Sequence, residues 1–240
     1  MSGHVPLTVR ARLAGGVAHS APWGISLDGL LASQIRAGVK AAARDAGTDY
    51  PPYDPAQPPD ELELPLTRCT AAGGDNWHWA ATFAHAEGEV AGPHVTYWTA
   101  RPDQYALDHL SDRLPAHVSE RQGRYRSRVM PLPLTIARAL VWRAVGDPDV
   151  IRDLLAGVMV IGRKRSSGHG HVFDWTVTPD PGADPWECAH LHPDGTLGRS
   201  TPPGCLADRR DIATGGSGHF GLRPPYMHPA MRRRVVFAAR

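Results

Sequence analysis

Ile161-Gly162-Arg163-Lys164-Arg165-Ser166-Ser167-Gly168-His169-Gly170-His171-Val172 is a glycine-rich loop that carries three consecutive cations. Val158-Met159-Val160-Ile161 leads into it and Val172-Phe173-Asp174-Trp175-Thr176-Val177 leads out. Both flanks are short and rich in β-branched and aromatic residues, which predicts a strand on each side. Glycines allow positive φ and close approach of the backbone to a ligand, and successive N–H groups can cradle an anion. Arg163, Lys164 and Arg165 add phosphate-binding cations, Ser166 and Ser167 add hydroxyl donors, and His169 is a further phosphate contact or a solvated loop residue. No G-x-x-x-x-G-K-[ST] or G-x-G-x-x-G string fits, so this is not a mononucleotide loop. On spacing alone, a solvated hairpin tip fits the same residues.

Outward from the loop, Val5-Pro6-Leu7-Thr8-Val9-Arg10-Ala11-Arg12-Leu13 alternates apolar and polar residues and predicts a first strand. Leu27, Leu30, Leu31, Gln34, Ile35 and Val39 then mark one face of a helix running to about Arg44. Ser26 suits its N-cap, and Asp28 suits the first turn of the helix dipole, which accounts for that carboxylate without a catalytic role. A strand followed by a helix fits the opening of a ferredoxin-like unit. The proline- and acid-rich residues 45–65 predict an excursion without a helix. Trp77-His78-Trp79-Ala80-Ala81-Thr82-Phe83 and His94-Val95-Thr96-Tyr97-Trp98-Thr99 read as a strand pair. Leu134-Thr135-Ile136-Ala137-Arg138-Ala139-Leu140-Val141-Trp142 fits either a strand or a second helix, and residues 149–155 fit a short helix. Residues 177–221 show little periodicity, and residues 231–238 predict a last strand led in by Arg232-Arg233-Arg234.

A second basic cluster holds Arg121, Arg124, Tyr125, Arg126 and Arg128. In a strand or hairpin, Arg124, Arg126 and Arg128 would share one face as a cationic stripe for a sugar-phosphate backbone. A charged, solvated edge strand is the other reading of the same residues. Trp23, Trp77, Trp79, Trp98 and Trp142 suit either base stacking or a core. Cys188-x-His190-x-His192 with Cys205 are zinc-competent ligand types, in a spacing tighter than a zinc finger's.

The 240-residue chain is long enough for a sizeable core, and its net charge of +2 is too small to argue for nucleic acid by itself. Of 26 basic residues, only Lys40 and Lys164 are lysine. The other basic residues are arginines, which suit phosphate forks and base stacking better than lysine does. No apolar run reaches membrane-spanning length and no secretory signal is visible, so a cytoplasmic location is expected. Three cysteines argue against a disulfide framework.

The glycine-rich loop resembles that of the RAMP superfamily, the ferredoxin-like RNA-binding proteins of CRISPR effector complexes. Ile25-Ser26-Leu27-Asp28-Gly29-Leu30-Leu31-Ala32, Met130-Pro131-Leu132-Pro133-Leu134, Val141-Trp142-Arg143-Ala144-Val145-Gly146-Asp147 and Leu222-Arg223-Pro224-Pro225-Tyr226-Met227-His228-Pro229 follow in an order similar to the type IV subunits of that superfamily. The resemblance implies an α+β, ferredoxin-like (RRM-like) domain over residues 1–240. It would have an antiparallel sheet, helices on one face, long insertions at 45–75 and 179–221, and a thumb-like basic segment at 119–130. It implies a non-catalytic subunit that grips the five-prime handle of a CRISPR RNA and caps a backbone filament. The RNA would meet Gly162, Arg163, Lys164, Arg165, Ser166, Ser167, Gly168, His169 and Gly170, with Arg121, Arg124, Arg126 and Arg128. Implied partners are the CRISPR RNA, backbone RAMP subunits and a large or small subunit, with target DNA reached through the complex and no membrane. Neither cofactor nor metal is expected. A repeat-RNA endoribonuclease of the same superfamily is the rival, with His19 in the loop where such enzymes keep a catalytic base, and a protein-contacting scaffold is the second rival.

Overall fold

The computed structural model describes residues 3–19, 24–51, 54–101, 103–113, 119, 121–122 and 126–239. Its centre is β1, Val5–Leu13, where alternation carries Leu7, Val9 and Ala11 fully into the core. The described residues around it form a four-stranded antiparallel sheet in the order β5 (His85–Glu87), β8 (Ala139–Gly146), β1, β9 (Val172–Pro179). Helix α1, Leu27–Asp45, follows β1, and helix α3, Pro148–Ala156, joins β8 to β9. With β5 as the second strand, this is a βαββαβ path in the order 4-1-3-2, compatible with a ferredoxin-like fold.

Both crossover helices start where a side chain completes the first turn. Ser26 Oγ accepts from the Gly29 N–H at 3.2 Å, and Asp147 Oδ1 accepts from Asp149 and Val150 at 3.0 and 3.2 Å. Pro148 fills the first position of α3, where its missing N–H costs nothing. Leu27 and Leu31 of α1 and Ile151 and Leu155 of α3, each pair four residues apart, bury against Val9, Trp142 and Ala144 in one core. Trp142 is fully buried, with Nε1 donating to the Ile25 carbonyl at 2.7 Å.

A second sheet, β2 (Val17–Ala18), β7 (Arg128–Ile136) and β6 (Ala91–Ala100), extends from the first. Two smaller pairs complete the strands: β3 (Arg68–Cys69) with β4 (His78–Trp79), and β10 (Thr214–Gly221) with β11 (Arg232–Ala238). Helix α2, Gln104–His109, follows β6, and α4, Pro185–His190, lies in the long C-terminal excursion.

The first strand, the helix from Ser26, the excursion after α1 (without helix among its described residues), the short helix at Pro148–Ala156 and the last strand all lie where the sequence predicts them. Several expectations are corrected. The two tryptophan-rich stretches are extended but do not pair with each other: His78–Trp79 pairs with Arg68–Cys69, and Ala91–Ala100 pairs with Arg128–Ile136. Alternation establishes an extended chain but carries no information on its partner. Leu134 to Trp142 is neither one strand nor a helix but two strands broken at Ala137 and Arg138. The lead into the glycine loop is not a strand; Val160 makes a single bridge to His171. The helices do not keep to one face either. Val145 points away from Trp142 and Ala144, and there it packs with Cys188 and Ala189 of α4.

Candidate nucleic-acid interface

The glycine loop is a strap laid across the end of β1 and across β2. Ala14 N–H donates to the His171 carbonyl at 3.0 Å, Gly170 N–H to Gly16 at 3.0 Å, Arg163 N–H to Ala18 at 2.7 Å, and Ile161 N–H to Gly170 at 2.8 Å. Two glycines are forced by this fit. Gly162 (φ +83) lies so close to the Ala18 carbonyl and Val17 that a Cβ would collide with them, and at Gly170 (φ +72) it would collide with the Ile161 carbonyl oxygen. Between them, Lys164 takes a left-handed conformation (φ 55) and leads into a 3-10 turn over Arg165–Ser167. Alternation of left- and right-handed residues of this kind turns successive N–H groups toward one side and makes a concavity for an anion.

Because backbone bonds hold the loop, its side chains are left over. Arg163, Arg165, Ser166 and Ser167 are exposed, and His169 is half-buried. Among the described residues, neither Arg163 nor Arg165 has a carboxylate within ion-pair distance. By contrast, Arg10 and Arg12 on β1 are paired with Glu87 and Asp174. Lys164 is half-buried, with Nζ 2.9 Å from the centre of the Trp98 ring. Trp98 stands opposite Met130 in the β6–β7 ladder, and Ala100 stands opposite Arg128. The loop and the second basic cluster therefore adjoin one three-stranded sheet, since β2 under the loop pairs with β7 through Val17↔Thr135 and Ala18↔Leu134.

In the second cluster, Arg121, Arg126 and Arg128 are exposed and, with Val129 and Met130, line a surface depression of about 590 Å³. Arg124, and with it the predicted three-arginine stripe, lies outside the described residues; β7 begins at Arg128, with Arg126 just ahead of it. Arg232, Arg233 and Arg234 belong to β11, in the pair with β10. Of the aromatics, Trp77, Trp79 and Trp142 are core, Trp23 lies outside the described residues, and Trp98 is the one beside the loop.

His19 follows directly on Ala18, to which the loop is bonded, and lies in a cleft of about 320 Å³ whose lining includes His85, Thr135 and His192. Its Nε2 is 2.9 Å from Thr135 Oγ1. Burial pushes His192 down to about 4, with the neighbouring His85 adding to the shift. Asp28 is fully buried, where it accepts from the Tyr226 hydroxyl at 2.7 Å and faces Arg199 at 3.9 Å. Burial raises its carboxyl pKa, opposed by Arg199. Asp28 therefore does more than complement a helix dipole: with Arg199, itself bonded to the carbonyls of Trp79, Ala81 and Leu222, it ties α1 to the C-terminal excursion.

The four zinc-competent residues named from the sequence do not come together as one set. Cys188 is buried beside Val145 and Ala189, and the His192 ring lies tilted against that of His85, with centres 4.7 Å apart. His190 and Cys205 do meet, but with Cys69 and His78. Those two were missed because the β3–β4 pair that presents them was not read from the sequence.

The family model describing CRISPR type IV associated protein Csf3 matches residues 5–205. The chain belongs to the Csf3 family. The kinship to type IV CRISPR subunits expected from the loop and its companion motifs is thereby borne out, over a span that includes the strap, β2 and the β6–β7 ladder. No curated protein sequence matches the chain. No helix among the described residues is long and apolar enough to cross a membrane.

Proposed function

We propose that this member of the Csf3 family is a non-catalytic RNA-binding subunit of a cytoplasmic type IV CRISPR ribonucleoprotein, built on the RAMP version of the ferredoxin-like fold. It holds the five-prime handle of the CRISPR RNA and caps a filament of backbone subunits, with a large or small subunit and the target DNA met through the assembly. One observation supports the reading: the loop is fixed by backbone bonds while Arg163 and Arg165 stay exposed without acidic partners among the described residues, beside a sheet that carries Arg128. Such a surface grips a phosphate backbone without reading bases, as a subunit must when sequence recognition is left to the guide.

The test is a titration of labelled repeat RNA, matching DNA and scrambled RNA at two salt concentrations, with each mixture also run on a denaturing gel. Binding of intact RNA should weaken with salt, and Arg163/Lys164/Arg165→Ala should flatten that dependence by roughly two in log–log slope, about 0.7 for each phosphate no longer neutralised. An unchanged affinity and slope would leave the protein as a scaffold that touches RNA incidentally. A second reading, a repeat-RNA endoribonuclease, draws on the cleft that His19 shares with His85 and His192. Shortened RNA in EDTA, abolished by His19→Ala, would establish it in place of the first.

A further inference from the structure

We propose that Cys69, His78, His190 and Cys205 bind one zinc ion in a closed, structural site. Their ligand atoms all lie within 4.8 Å of one another. The separations are 3.7 Å for Cys69 Sγ to His190 Nε2, 3.9 Å for Cys69 Sγ to Cys205 Sγ, and 3.7 Å for Cys205 Sγ to His78 Nε2. A tetrahedral zinc with bonds of about 2.3 Å to sulfur and 2.0 Å to nitrogen sets its ligand atoms roughly 3.3–3.8 Å apart. The cluster therefore sits close to the size of a coordination sphere and needs only a small contraction around the ion.

The imidazoles are oriented as ligands. His78 Nδ1 is 2.9 Å from the Trp79 carbonyl and His190 Nδ1 is 2.8 Å from the Trp186 carbonyl. A carbonyl only accepts, so each Nδ1 carries the proton and each Nε2 presents a lone pair to the two sulfurs. The rings stand at 90° with centres 5.0 Å apart, which lets both lone pairs converge from different directions. His78, His190 and Cys205 are buried and Cys69 is half-buried, so no water need compete at the centre. Two thiolates would also cancel the charge of a divalent ion, which makes a soft, thiolate-preferring cation such as zinc the fitting occupant.

The elements show what the ion would accomplish. Cys69 and His78 stand directly opposite in the β3–β4 pair and so project on one face. His190 ends α4, and Cys205 lies in the turn Pro203–Leu206. All four positions are protein side chains, leaving no open coordination site for substrate. Zinc here clamps the C-terminal excursion onto the hairpin and takes no part in RNA contact.

The experiment uses the full-length protein with any affinity tag removed. Zinc per chain is measured by mass spectrometry, free thiols are counted, and cobalt is exchanged in as a spectroscopic probe. The expected result is one zinc per chain, three reduced cysteines, and a cobalt spectrum with thiolate charge-transfer and tetrahedral ligand-field bands. Cys188→Ser should leave the metal and the cobalt spectrum unchanged, while Cys69→Ser and Cys205→Ser should lose the metal. His190→Cys guards against mere misfolding, since a true ligand position should keep the metal and shift the cobalt bands toward three-sulfur coordination. A zinc-free protein after exposure to zinc, an octahedral cobalt spectrum, or a Cys69–Cys205 disulfide would each overturn the proposal. So would an unshifted spectrum in His190→Cys.

Discussion

The glycine loop and the Cys/His cluster solve the same mechanical problem in opposite ways. Each joins segments far apart in sequence: the loop reaches back from residue 170 to Gly16, and the cluster joins Cys69 to Cys205. The loop does so with peptide groups, so Arg163 and Arg165 remain outside and available, while Lys164 rests on Trp98. The cluster does so with side chains turned inward on one another, and little of them remains to meet a ligand. A binding surface and a structural clamp can therefore be told apart by asking which atoms hold the chain in place.

Substitutions can break this comparison. The largest effect is expected at the cluster, where Cys205→Ser should lower the melting temperature by roughly 10 °C or more if the ion contributes several kcal/mol to folding. A melting temperature that stays put would mean the four side chains merely pack. Next comes Gly170→Ala, which combines a positive φ with a collision against the Ile161 carbonyl and should cost about 2–3 kcal/mol in chemical denaturation. Gly168→Ala sharpens the point, because its φ is likewise positive, at +83, but a Cβ would meet open space. There the cost should fall to about 1 kcal/mol, the conformational part alone. Smallest in stability is Arg163/Lys164/Arg165→Ala, expected within about 0.5 kcal/mol per exposed residue, while the salt dependence of RNA binding flattens by roughly two in slope. Should that variant unfold instead, the side chains and not the backbone would be holding the strap.

Local features were legible in the sequence where one residue type settles the matter. Ser26 announces a helix start, alternation from Val5 announces a strand, and the glycines at 162 and 170 announce a tight approach. Pairing was not legible. The tryptophan-rich strand at His78–Trp79 takes Arg68–Cys69 as its partner, and nothing in the alternation of either stretch specifies the other. The same blind spot hid the cluster. Cys188-x-His190-x-His192 drew attention as a compact string, yet the buried position of Cys188 beside Val145 and the tilt of His192 toward His85 split it. Its true companions lay far upstream, at Cys69 and His78, across a turn that the sequence left unassigned. The strap's landing place on Trp98 was missed for a similar reason, because a lysine in a left-handed conformation is not announced by any neighbour.

The position of β1 has a consequence for how the protein comes to exist. Of the strands described it is the first to be made and it carries three fully buried side chains, yet its two neighbours, Ala139–Gly146 and Val172–Pro179, are among the later segments. Through much of synthesis Leu7, Val9 and Ala11 sit on a strand with both edges open, which is the condition under which chains pair with each other instead of with themselves. The N-terminal half thus lacks both strands that cover the edges of β1, and the second of them is complete only when residue 179 has been made.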